Sequence, residues 1–264
     1  MALSGYLLGY DVGSTSVKVT LLDAESGKAM TSATSPSREL EIEAPQPGWA
    51  EQDPEVWWEH VKRATHLIKE RSQVDLGGVK AIGISYQMHG LVVVDKALKA
   101  LKPSIIWCDS RAVSIGEEAF SNIGEKVCQE HLLNSPGNFT ASKLRWIRDN
   151  QPDIYERIYK MMLPGDYIAM RMTGEVRTTP SGLSEMILWD YVEKDTARLV
   201  LDYYDISPDL LPEVAPTFSV QGELTREAAE ELGLGPGIFV SYRAGDQPNN
   251  AFSLGVLGPG EAAA

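Results

Sequence analysis

The sequence predicts an α/β domain with a mixed sheet flanked by helices, and three observations predict it. The chain opens with three short apolar runs, residues 6–10, 17–22 and 28–34, close enough together to form an antiparallel meander. Later apolar runs, at residues 79–85, 91–95, 105–107 and 238–242, alternate with helical patterns. The first run also turns directly into the second, whereas a Rossmann domain feeds its first strand into a helix.

Each element has a local cause. The turn Ala24-Glu25-Ser26-Gly27 separates the second and third strands. Asp53-Pro54 starts a helix, with Asp as N-cap and Pro at the first helical position. Trp57, Val61, Ala64 and Ile68 then fall on one face, which reads as core. The run 79–85 is interrupted by Gly83. Residues 141–150 are helical, with Leu144 and Ile147 on one face. Helices are also predicted at 166–172, 196–204 and 226–232, the last closed by Gly233. After the strand at 238–242, a turn at 244–248 leads into a helical stretch at 249–257.

Composition narrows the function. The chain has 264 residues, 43% hydrophobic and 23% charged, enough for a sizeable core. Its 37 acidic residues against 24 basic give a formal charge of −13. Such a surface repels a phosphate backbone, which argues against nucleic-acid binding. A polyanion such as ATP would need backbone amides and a metal cation here. Cys108 and Cys128 form no CxxC pair, so neither a disulfide framework nor structural zinc is expected. The start carries no signal-peptide pattern, and no apolar run approaches the ~20 residues of a membrane span. A cytoplasmic protein is the expectation.

Three segments place polar or glycine-containing turns at the ends of apolar strands, where α/β sheets usually bind ligands. In Asp11-Val12-Gly13-Ser14-Thr15, a glycine and small hydroxyl residues let backbone amides approach a phosphate, and Asp11 can hold a hydrated Mg²⁺. The same residues also fit an ordinary hairpin turn, and the absence of a lysine excludes a P-loop. In Met88-His89-Gly90, a histidine after a buried strand suits a cleft residue that bonds a small polar ligand, although a lone histidine more often has a structural role. In Gly245-Asp246-Gln247, an aspartate before a helix can accept a hydroxyl proton during phosphoryl transfer. It can equally be the N-cap of that helix.

Together with further motifs, these segments resemble one family. Leu8-Gly9-Tyr10-Asp11-Val12-Gly13-Ser14-Thr15-Ser16-Val17-Lys18 is similar to the phosphate-facing hairpin of the FGGY carbohydrate kinases. Gly48-Trp49-Ala50-Glu51-Gln52-Asp53-Pro54 followed by Trp57-Trp58, Gln87-Met88-His89-Gly90 and Ile106-Trp107-Cys108-Asp109-Ser110-Arg111 resemble the same family. So do Leu163-Pro164-Gly165-Asp166-Tyr167, Met172-Thr173-Gly174-Glu175 and Ala244-Gly245-Asp246-Gln247. Within the family, Met-His-Gly with a nearby Trp-x-Asp-x-Arg is most similar to the xylulose kinases. Glycerol kinases carry an Arg-Glu pair where this chain has Met88-His89.

The resemblance implies a ribonuclease H-like, actin-like ATPase domain, with two domains closing over MgATP and a sugar such as D-xylulose. By position it makes Asp246 the general base and puts Asp11 at the Mg²⁺ and phosphate end. Gly13, Ser14 and Thr15 would face the transferred phosphoryl group, and Met88, His89 and Gln247 would touch the sugar. Trp107 and Asn138 are further candidates for the cleft wall, and Asp109 with Arg111 fits a structural ion pair as well as a site. Family members continue into a second, nucleotide-binding domain. The expected division is therefore 1–247 as the sugar-binding domain and 248–264 as a connecting helix and the start of the next domain. On that division the fragment alone is inactive and exposes an apolar face, and the full-length protein has room to form a homodimer. Other FGGY sugars (L-ribulose, fuculose, gluconate, erythritol) and a sugar-binding domain without turnover are the alternatives.

Overall fold

A computed structural model describes residues 5–72 and 74–262. The chain start read for a signal peptide, residues 1–4, and the last two residues of the 248–264 segment lie outside the described residues. The main sheet has six strands: β1 (Tyr6–Val12), β2 (Val17–Asp23), β3 (Ala29–Ser35), β4 (Val79–Tyr86), β5 (Gly222–Glu223) and β6 (Phe239–Gly245). They lie in the order β5-β6-β4-β1-β2-β3. The β1-β2-β3 meander is antiparallel, as its closely spaced apolar runs predict. β4 runs parallel to both β1 and β6, so these three strands end at one edge of the sheet.

The helices are α1 (Pro54–Arg71), α2 (Val113–Ile123), α3 (Glu125–His131), α4 (Thr140–Asn150), α5 (Pro152–Tyr155), α6 (Pro164–Thr173), α7 (Pro180–Glu185), α8 (Arg198–Tyr204), α9 (Arg226–Leu232) and α10 (Asp246–Ser253). Asp53 caps α1 by accepting from the Glu55 N–H at 2.9 Å, with Pro54 in its first turn. Trp57, Val61, Ala64 and Ile68 are completely buried and pack on the meander. From β1 and β2, Leu8, Tyr10, Val12, Val17, Val19 and Leu21 are buried in the same core. Each fully buried large apolar side chain there stabilises the fold by about 1.5–3 kcal/mol. The Tyr10 and Thr65 hydroxyls, 2.9 Å apart, satisfy each other inside that layer. Helix α6 packs beneath β4 and β6, and α9 closes on Gly233 in the left-handed conformation, φ 67°.

Several expectations shift. The strand at 105–107 shortens to Ser104–Ile105, because Trp107 leaves the sheet and stands 52% exposed. The last helix begins at Asp246 rather than 249, since Pro248 is tolerated in a first turn. The 196–204 helix begins at Arg198, with Asp195–Thr196 paired instead to Trp189–Asp190. Helices α2, α3, α5 and α7 were not evident from sequence pattern. Phe218, exposed to solvent, stacks on Tyr242 at 5.3 Å, with the exposed Phe252 beside it. Among the described residues, no helix is long and apolar enough to cross a membrane.

Candidate active site

The register of the parallel strands assembles the three candidate segments. Asp11 of β1 and Ala244 of β6 both lie opposite Ser85 of β4, and Val12 and Gly245 both lie opposite Tyr86. The turn at Asp11–Ser16, the loop at Gln87–Gly90 and the β6–α10 junction therefore meet at one edge.

The β1–β2 turn is held through its carbonyls. Ser14 O accepts from Gln52 Nε2 at 2.7 Å, and Thr15 O accepts from Leu40 N–H at 2.8 Å. Trp107 Nε1 donates to Ser14 Oγ at 3.2 Å, so Trp107 braces this turn. The Gly13 N–H is spent on Ser16 O at 3.0 Å. Among the described residues, the N–H groups of Ser14 and Thr15 make no hydrogen bond, which leaves those two amides for an anion. Burial raises the carboxyl pKa of Asp11, Lys18 lowers it and Asp246 raises it. The two carboxylates thus sense each other across the strand ends.

The β4 loop starts with a bond from Gln87 N–H to Val12 O, 2.9 Å. His89 is left-handed, φ 60°, and its ring meets Phe139 edge-on at 4.4 Å. Burial lowers the pKa of its imidazole, and the ring is neutral at pH 7. Its Nδ1 lies 3.2 Å from the Glu185 carbonyl, which can only accept, so Nδ1 carries the proton. Nε2 is then an acceptor suited to a hydroxyl donor. The His89 carbonyl accepts from Lys143 Nζ at 2.8 Å, and Ile106 O accepts from the same ammonium at 3.1 Å. Burial pushes the Lys143 pKa down to about 7 against the pull of Asp109.

At the third strand end, Asp246 is the first residue of α10 and Gly245 occupies the N-cap position. The N-cap alternative for Asp246 is therefore corrected, and its side chain makes no hydrogen bond to any described residue. Asn249 Nδ2 donates to Ala244 O at 2.7 Å and Gly245 O at 2.9 Å, tying the helix back to β6. A Cβ at Gly245 would stand 2.4 Å from Met88 Cγ and 2.8 Å from Glu185 Oε2, so any side chain there displaces one of them.

Met88, His89 and Gln247 line one cleft of about 470 Å³, with Phe139, Ser184 and Glu185. That volume suits a small polar ligand. A larger cleft of about 780 Å³, lined by Asp53, Glu55, Arg171, Glu227 and Glu231 among others, lies away from the strand ends and includes none of the candidate residues. Asn138 does not line this cleft, and its Nδ2 donates to Asp109 O. Asp109 and Arg111 form a structural pair. Arg111 Nη2 and Asp109 Oδ2 are 2.7 Å apart, and both side chains are buried. Arg111 Nη1 also lies 2.8 Å from Glu51 Oε1, at an angle that makes an ion pair rather than a directed hydrogen bond. The guanidinium sits over Trp49 at 3.8 Å.

Glu185, Lys143 and Phe139 were not identified from sequence. The signal for Glu185 was present: a carboxylate inside Leu183-Ser184-Glu185-Met186-Ile187-Leu188, whose four apolar members are all buried. Among the described residues, no three His, Cys, Asp or Glu side chains cluster as a metal cage. Asp11, with its unshared neighbouring amides, fits Mg²⁺ in its usual form, held by one or two carboxylates plus water and phosphate oxygens.

Residues 6–253 match the FGGY family of carbohydrate kinases, N-terminal domain. The chain is 32% identical over 255 residues to the xylulose kinase of Escherichia coli (strain K12), covering 97% of this chain and 51% of that protein. It is also 32% identical over 246 residues to a glycerol kinase of Thermococcus gammatolerans, covering 92% of this chain and 48% of that one. The crystal structure of xylulose kinase from Rhodospirillum rubrum superposes with a TM-score of 0.87 at 27% identity, over 97% of this chain and 52% of that chain. The chain spans about half the length of the curated relatives it matches. The mixed sheet and flanking helices are those of the actin-like ATPase fold, as expected. This chain belongs to the FGGY family of carbohydrate kinases.

Proposed function

We propose that this chain is the sugar-binding and base-supplying part of an ATP-dependent kinase that phosphorylates a terminal hydroxyl of a ketose, D-xylulose first. The observation that supports this is the cleft lined by Met88, His89 and Gln247, which adjoins Asp246 at the ends of the parallel strands. His89 Nε2 accepts from a sugar hydroxyl, and Gln247 offers an amide to another. Asp246, whose side chain makes no hydrogen bond among the described residues, takes the proton of the hydroxyl that attacks. General-base help of this kind contributes about 10²–10⁴-fold to the rate. The Ser14 and Thr15 amides face the transferred phosphoryl group. Asp11 would hold Mg²⁺, which neutralises charge on that group. The remaining grip on the nucleotide belongs to a part of the protein equivalent to the unmatched half of its relatives.

Its relative from Thermococcus gammatolerans makes glycerol the competing substrate to test. Met88-His89 stands where glycerol kinases carry a charged Arg-Glu pair, which favours the ketose. An ADP-release assay of the full-length protein on D-xylulose, L-ribulose, gluconate, erythritol and glycerol decides. D-xylulose is expected to give the highest kcat/KM. Glycerol matching or exceeding it rejects the substrate assignment, and no ADP release on any of them rejects the kinase.

A further inference from the structure

We infer that Glu185 is a positioning residue for the proposed base: its carboxyl fixes the backbone of Gly245, the residue before Asp246. This rests on the kinase reading above for what Asp246 does, but the anchoring is a property of the chain itself.

Glu185 ends α7 and is 4% exposed. A carboxyl at such a site is costly unless it is partnered, whereas a leucine or methionine would simply pack. Among the described residues, no Lys, Arg or His lies within ion-pair distance of it, so it is not retained for a salt bridge. Its two partners both sit at the active edge. Glu185 Oε1 accepts from Gly245 N–H at 2.7 Å and from the Tyr86 hydroxyl at 3.2 Å. These are the last residues of β6 and β4, the two strands that carry Asp246 and the His89 loop.

The contact is also steric. Gly245 is pressed so closely against Met88 and Glu185 that a side chain there would displace one of them. One residue therefore reaches both halves of the site, through its carboxyl to Gly245 and through its backbone carbonyl to His89 Nδ1. Burial pushes the Glu185 pKa up to about 8, with Asp166 and Asp246 adding to the rise and the Gly245 N–H opposing it. At pH 7 the group is mainly the neutral acid. A neutral acceptor holds the Gly245 amide without placing a further full charge beside Asp246. Glutamine reproduces that acceptor, and leucine removes it at similar bulk.

Full-length Glu185→Leu and Glu185→Gln are compared with wild type by two readouts. The first is hydrogen exchange, read by mass spectrometry on peptides covering 240–250, without sugar or nucleotide. The leucine variant is expected to exchange the Gly245 amide at least about tenfold faster, and the glutamine variant at the wild-type rate, as loss of a buried amide partner implies. The second is kinetics. Leucine is expected to lower kcat at least about tenfold, with sugar KM moved less than about threefold, because a small displacement of a reacting group is costly. Glutamine is expected to retain kcat.

Unchanged Gly245 exchange in the leucine variant overturns the anchoring. Faster exchange with wild-type kcat overturns the positioning role. If the leucine variant does not fold, the wild-type amide decides. It must be protected like the centre of β6, and exchange at a solvent rate overturns the inference. A wild type that phosphorylates nothing sinks the kinase reading alone, since exchange is read without turnover.

Discussion

The ammonium of Lys143 is fully buried and donates to the carbonyl of His89 at 2.8 Å, and among the described residues no carboxylate contacts it. A lysine so placed supports backbone rather than balancing charge. It holds the left-handed His89 through the backbone carbonyl, while Glu185 O meets the ring Nδ1, and it also bonds Ile106 O. Lys143→Met leaves the His89 carbonyl without its donor, at about 1–3 kcal/mol for an unsatisfied group, while Ile106 O keeps the Asp109 N–H at 3.2 Å. The expected result is a lower Tm and a sugar KM raised at least about tenfold, with a smaller change in kcat, since the proposed function makes the His89 loop a binding element. Thermal melts and steady-state kinetics on the full-length protein check this. Wild-type KM in a folded variant contradicts it.

Glu185 gives stability a definite pH dependence. Its ordinary value of 4.5 rises to about 8 in the folded chain, so the native state holds a proton that the unfolded state releases. The stabilisation is fully present below about 4.5 and is lost as pH rises through about 8. Lys143 has the opposite sign. Its folded value of about 7 lies below the ordinary 10.5, so its penalty is largest below about 7 and eases toward 10.5. Subtracting the Tm of Glu185→Gln from that of wild type isolates the glutamate. The difference is expected to fall steadily from pH 5 to pH 8, and a constant difference contradicts the assigned proton.

The buried pair beneath β6 is structural. Arg243 Nε lies 2.8 Å from Asp166 Oδ1, with both side chains at 1–2% exposure, and Arg243 Nη1 donates to Gln221 Oε1 at 2.6 Å. Asp166→Ala leaves the guanidinium buried without its counter-charge, a loss of about 3–5 kcal/mol. Chemical denaturation is expected to show that loss. A change below about 1 kcal/mol, the range of an exposed surface pair, contradicts the structural role.

The isolated 264-residue chain is expected to bind sugar weakly and to show at most trace turnover. On the proposed function it supplies the base and sugar contacts, while a net charge of −13 cannot retain ATP by general attraction. Calorimetry and a coupled ADP assay on this polypeptide check the division of labour. Turnover equal to that of the full-length protein contradicts it.

What the sequence revealed follows from where its signals are local. The meander, the Asp53-Pro54 helix start and the strand-end turns each depend on a few adjacent residues, so they were legible. The meeting of Asp11, His89 and Asp246 was legible only through motif resemblance, because strand register across β1, β4 and β6 has no local signature. Glu185 and Lys143 were missed for a related reason. A glutamate or lysine on a helix normally reads as solvated, and only tertiary packing around α4 and α7 buries these two. Asn138 is a cleft-wall candidate by family resemblance alone, and the structure shows its Nδ2 donating to Asp109 O.

The most direct test is Asp246→Asn in the full-length protein. Asp246 is not the N-cap of α10, so the substitution removes no capping bond and leaves the helix start intact. Asparagine keeps the shape but cannot take the hydroxyl proton. The expected result is a kcat lowered at least about 100-fold, in line with the usual general-base contribution, with sugar affinity by calorimetry changed less than about threefold. A folded Asp246→Asn enzyme with wild-type kcat contradicts the assignment of Asp246 as the base.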